Sequence, residues 1–181
     1  VSEGARGDKD RFRPARIWRS LDAGRKLKAA AAFWKSDAVK DADRQAAVIA
    51  LAQSLRFRPQ TIRTAPAAKR AQYLASHPAL PDHLAASLLY AYHLEAQAPM
   101  LTRFLDLLGI AHEAGRITGE VKAPDAKGLE EAAGKLLAEF DPADVAVYFE
   151  TLVSQDASAW GGLEGILEAR APGAAPGGAA D

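Results

Sequence analysis

Cysteine is absent from the chain, which removes disulfide staples, thiolate nucleophiles and cysteine-ligated zinc from the chemistry open to it. The fold has to stand on packing. Aromatic residues are sparse, with 3 Trp, 4 Tyr and 6 Phe among 181 residues, and much of the 49% apolar share is alanine. Alanine favours helix strongly but contributes little buried area per residue. Helices are therefore easy to form here and a thick core is not. No run of 18 or more apolar residues occurs, so no transmembrane helix is expected. The basic, proline-containing N-terminal stretch lacks the apolar segment of a signal peptide, and the chain reads as cytoplasmic.

The signatures of several chemistries are missing as well. There is no GxGxxG, no phosphate-binding loop, no GxSxG and no pair of carboxylates set in an apolar stripe. The four histidines, His77, His83, His93 and His112, have no partner at the i+4 spacing that puts two ligands on one helix face. No metal site and no cofactor are expected. The segment around Gly109 has a glycine between two apolar stretches, as a helix-turn-helix would, but Glu113, Gly115, Gly119 and Glu120 offer no basic recognition surface after it. An enzymatic reading, which would place a pocket near Tyr90, Tyr92 and His93, is the minority one.

What the sequence does contain is helical periodicity. A chain of this length fits one core, and apolar residues recur at helical spacing with no β-branched alternation. The expectation is an all-α, single-domain bundle or short helical array of about seven helices. It spans residues 11–168, between a disordered arm at 1–10 and a disordered Gly/Ala/Pro tail at 169–181.

The first helix is expected from Ser20, as N-cap, to Lys35, with Leu27, Ala31 and Trp34 inward. Helices follow over about 41–56, with Leu55 on the buried stripe, and after Pro66. Pro81 opens the central helix, with Leu84, Leu88 and Tyr92 on its buried face, and Pro99 interrupts it before another stripe through Leu101 and Phe104. Two more starts are marked by Asp125 and by Asp141-Pro142-Ala143-Asp144, in which Asp141 caps and Asp144 complements the helix dipole. A last helical segment is expected near 163–168.

Two features point toward binding. Residues 1–70 carry 17 Lys or Arg against 7 Asp or Glu, a net of +10, while residues 71–181 carry 6 against 16, a net of −10. Such asymmetry suggests charged partners, or head-to-tail self-association into a homo-oligomer. Secondly, RFRPARI at residues 11–17 is echoed 45 residues later by RFRPQTI at 56–62. The period suits a helical hairpin repeat, but there is no third copy.

Each Phe of these segments is expected to plug the core at a helix boundary. Arg11, Arg13, Arg16, Arg19, Arg56, Arg58 and Arg63 would then form a basic surface, with Trp18 available for stacking. The leading expectation is a non-catalytic protein-protein interaction module that binds its partner through the basic N-terminal half or through an exposed helix groove. The alternative is nucleic-acid binding through the same arginines.

Overall fold

The computed structural model describes residues 10–169, and among them the chain forms eleven helices and one two-residue hairpin. The architecture is all-α, as the periodicity predicts. The expected terminal arm and tail fall almost wholly outside the described residues. Of their edges, Asp10 accepts a hydrogen bond from Arg13 at 3.3 Å, and the Ala169 amide bonds the Gly165 carbonyl at 3.0 Å.

The N-terminal start differs from the expectation. Helix α1 (Pro14–Ser20) opens on a proline in the first turn, and Ser20 ends it by donating to the Ile17 carbonyl at 2.8 Å. The cap of α2 (Ala23–Lys35) is instead Asp22, whose carboxylate accepts from the Arg25 amide at 2.9 Å. That break rotates the buried face: Leu27, expected inward, is 42% exposed, while Ala29, Ala30 and Phe33 are fully buried.

Helix α3 (Asp41–Leu55) follows, and then α4 (Pro59–Thr64) and α5 (Ala67–Ala75). Leu55 lies at the end of α3 rather than on its buried stripe, because the chain turns left-handed at Arg56. In α5, Ala71 and Leu74 are buried and Ala67 is exposed.

The central helix is α6 (Asp82–Ala96), against which α1, α2, α3, α7 (Ala98–Leu107) and α9 (Pro142–Gln155) pack. Gln97 interrupts the helical run, and Pro99 then sits in the first turn of α7, where its missing amide costs nothing. A hairpin of β1 (His112–Glu113) and β2 (Arg116–Ile117) leads to α8 (Ala126–Glu139). The short α10 (Ala157–Trp160) and α11 (Gly162–Glu168) end the described chain. Asp125, Asp141 and Asp156 each accept backbone amides at the starts of α8, α9 and α10.

The apolar interior consists of two clusters that meet along α6. One gathers Ile17, Trp18, Phe33, Leu51, Ile62 and Leu88, and the other Phe104, Leu136, Tyr148, Phe149 and Trp160. Alanines let the helices of the first cluster approach closely, while tilted and edge-to-face ring pairs fill the second, where Phe104 lies 5.2 Å from Phe149 and 5.7 Å from Tyr148. Tyr92 belongs to the first cluster and Leu94, two residues on, to the second.

A polar knot closes the seam between them. Arg25 of α2 donates through Nε to Asp144 at 2.6 Å and through a terminal nitrogen to Asp141 at 2.8 Å, and it also pairs with Asp22. Asp144 accepts from the Tyr92 hydroxyl at 2.8 Å, which in turn accepts from Gln97 at 2.9 Å. One guanidinium therefore bridges the caps of α2 and α9. Burial alone would push the Asp144 carboxyl up, but bonds from Arg25 and Tyr92 outweigh it and hold the group below its ordinary value. The Tyr92 hydroxyl, chiefly through burial, is pushed up to about 12.

Truncating Arg25 leaves Asp144 and Tyr92 without their charge partner in a site only partly open to water. Arg25→Ala should cost about 2 to 4 kcal/mol in denaturant unfolding, toward the low end because Arg25 keeps some solvent contact. Arg25→Lys should recover only a minority of the loss, because an ammonium cannot present the planar fork that reaches three carboxylates.

Candidate binding surface

The two RFRPxxI segments adopt the same local structure. In each, the second Arg is extended, the Pro is the first helical residue and the Ile is buried one turn on, at 2% exposure for Ile17 and 0% for Ile62. This is the Phe-to-Ile spacing of a hydrophobic staple at a helix start, although Phe12 and Ile17 belong to different apolar clusters. The copies then diverge. Phe12 is buried at 7%, as expected of a plug, whereas Phe57 is 43% exposed and meets the edge of Tyr73, with ring centroids 6.2 Å apart.

The arginines diverge in the same way. In the first copy, Arg13 makes a two-pronged contact to Asp82 at 3.0 and 2.6 Å, and Arg19 donates to the Ala15 carbonyl at 3.2 Å. Arg11 lies over the Phe12 ring at 5.3 Å, and Arg16 is exposed beside Arg13 and Arg19. Trp18, expected to stack at the surface, is 1% exposed, because Pro14 sets the phase of α1 and points Ile17 and Trp18 into the first cluster. The first copy is thus largely spent on the fold.

The second copy is not. Among the described residues no carboxylate lies within ion-pair distance of Arg56, Arg58 or Arg63, and Arg63 donates instead to the neutral Gln45 at 2.6 Å. The physical reason lies in the sequence: residues 44–81 contain no Asp or Glu. Lys69 and Arg70 of α5 extend the same cationic run, with Arg70 over the Trp34 ring at 4.9 Å. Helix α4 packs on α3, and α5 packs on α2 and α3. The exposed Phe57 links the α3–α4 turn to α5 through Tyr73.

Arg56 stands in an unusual backbone position. It ends α3 with φ 55 and ψ 36, and the amide of Phe57 reaches back to the Ala52 carbonyl at 2.9 Å. Glycine normally takes this left-handed position, which costs an L side chain about 1 kcal/mol. The strain holds an arginine, beside Phe57, at the exposed end of a helix.

The residues of the enzymatic reading do not converge. Tyr92 turns to Asp144, whereas Tyr90 and His93, one turn apart, border a separate cavity beside α9. His93 is 3% exposed, and its Nε2 lies 3.1 Å from the Thr151 hydroxyl. That hydroxyl donates to the Val147 carbonyl at 2.7 Å, so the proton sits on Nε2 and Nδ1 is a buried acceptor with no partner. Burial drives the His93 imidazole down to about 3, against a small upward pull from Asp144.

An unfolded His93 takes up a proton near pH 6.5 that the folded chain refuses until about pH 3. Stability should therefore fall as pH drops from about 6 to about 4.5, by about 1.4 kcal/mol per pH unit from this group alone. Denaturant unfolding of the wild type and of His93→Gln across that range should differ by this slope, with the variant the flatter.

Comparison of the chain with protein-family models, with curated proteins and with solved structures finds no match.

Proposed function

We propose that the protein is a non-catalytic binding module that docks an acidic segment of a partner protein on the α3–α5 face. The observation that carries this reading is the contrast between the two RFRPxxI segments. One buries its Phe and ties Arg13 to Asp82, while the other leaves Phe57 exposed and, among the described residues, Arg56, Arg58 and Arg63 without carboxylate partners.

Arginine and exposed aromatic side chains are the groups that dominate protein interfaces, because they combine buried area with directed hydrogen bonds. Guanidinium forks match carboxylates two bonds at a time. The left-handed arginine at position 56 supports the same reading, since glycine would suit the fold better there.

Nucleic acid is the second reading. Its support is the interleaving of Phe57 with Arg56 and Arg58, which would let a base stack between phosphate contacts. Salt separates the two readings, because contacts to a string of phosphates release counterions and give a steep dependence.

The test is fluorescence anisotropy with two labelled probes, a Glu/Asp-rich peptide carrying aromatic residues and an oligothymidylate. The peptide should bind, and Arg56→Glu/Arg58→Glu should weaken it by at least about tenfold. Arg56→Gly should weaken peptide binding while raising stability by about 0.5 to 1 kcal/mol, which separates a docking role from a folding one. Tighter binding of the oligonucleotide with a steep salt slope would put the second reading first. Binding of neither probe would overturn both.

A further inference from the structure

A cavity of about 210 Å³ lies between α6, α7, α9 and the β-hairpin, on the side of the molecule where α6 leaves the first cluster. Its walls include Leu94, Leu101, Ile117 and Leu152. No Asp or Glu lines it.

Its polar groups divide into spent and unspent. The Thr151 hydroxyl is fully used between Val147 and His93. Tyr148 is 4% exposed and borders the cavity, yet its hydroxyl has no hydrogen-bond partner among the described residues. The oxygen is not closed off as the ring is, so a molecule in the cavity can reach it. Burial also raises its pKa, so it stays a neutral donor. Arg116 borders the same cavity from β2 and makes no ion pair among the described residues, not even with Glu113, its partner in the hairpin register.

The hairpin is seated there by Gly115, at φ +84, where an added Cβ would stand 3.1 Å from the Leu101 Cβ. The conformation calls for glycine, and the close approach leaves little room for a side chain.

We propose that this cavity binds a compact organic monocarboxylate, with its apolar body against Leu94, Leu101 and Leu152 and its carboxylate between the Arg116 guanidinium and the Tyr148 hydroxyl. Arg116 and Tyr148 are both donors, one of them cationic, at a largely apolar cavity without a carboxylate of its own; its lining also holds the buried acceptor Nδ1 of His93 and the amide of Gln155. An anionic acceptor on a small apolar frame matches the Arg116 and Tyr148 donors and the apolar walls. The size of the cavity excludes a long chain. The site is separate from the α3–α5 face and stands whether or not that face docks a partner.

The test is amide-resolved NMR titration with benzoate and, in parallel, benzyl alcohol, which keeps the ring and removes the charge. Benzoate should give saturable shifts at Leu101, Arg116 and Thr151 with an affinity on the order of 1 mM or better. Benzyl alcohol should bind at least about tenfold more weakly. Arg116→Gln, a change at an exposed position, should weaken benzoate about tenfold and leave the alcohol unchanged, and Tyr148→Phe should weaken benzoate severalfold. The proposal is overturned if benzoate gives no saturable shift at these residues. It is equally overturned if the shifts map to the α3–α5 arginines, or if the alcohol binds as well as the acid and Arg116→Gln has no effect.

Discussion

Arg25 is where the two ends of the charge distribution meet. Its guanidinium sits on the basic first half of the chain and reaches Asp141 and Asp144 of the acidic second half across more than a hundred residues. Three carboxylates around one cation would be a poor arrangement in isolation. Here two of them, Asp22 and Asp141, also accept helix-capping amides, and the third is hydrogen-bonded by Tyr92. Each charge thus has several partners, the condition under which a partly desolvated ion pair holds a structure together. Because α2, α6 and α9 all contribute, the knot fixes how the alanine-packed cluster and the ring-packed cluster register on each other.

That registration shapes the rest of the surface. The attraction between the halves is exercised at specific places, Arg25 with Asp141 and Asp144, and Arg13 with Asp82. These pairs draw on the cations of α1 and α2. The α3–α5 arginines after Arg44 lie in an acid-free stretch of sequence, residues 44–81, and among the described residues none of them finds a carboxylate. The unspent positive charge is a consequence of where the fold places its internal pairs.

The fold class, the proline and aspartate helix starts and the central role of α6 were legible in the sequence, because periodicity and capping are local. Asp125 and Asp141 cap as their neighbours imply. Errors arose where two local signals competed. Ser20 and Asp22 are both capping residues, and the carboxylate two positions later prevailed, which turned Leu27 outward. The two RFRPxxI segments illustrate the other limit. Their common local structure follows from sequence, but which Phe is buried depends on what packs over it, and that is set by elements far along the chain. The role of Asp144 was hidden for the same reason: it reads as a dipole complement, and its partners Tyr92 and Arg25 lie 52 and 119 residues away.

The account turns on Arg25 and Asp144 acting as one unit. A double-mutant cycle in denaturant unfolding, with Arg25→Ala, Asp144→Ala and the pair, measures that directly. A coupling energy of about 1 kcal/mol or more is predicted, so that the second substitution costs markedly less once the first is present. Losses that add within about 0.5 kcal/mol would contradict it and would leave the joining of the two clusters to apolar packing alone.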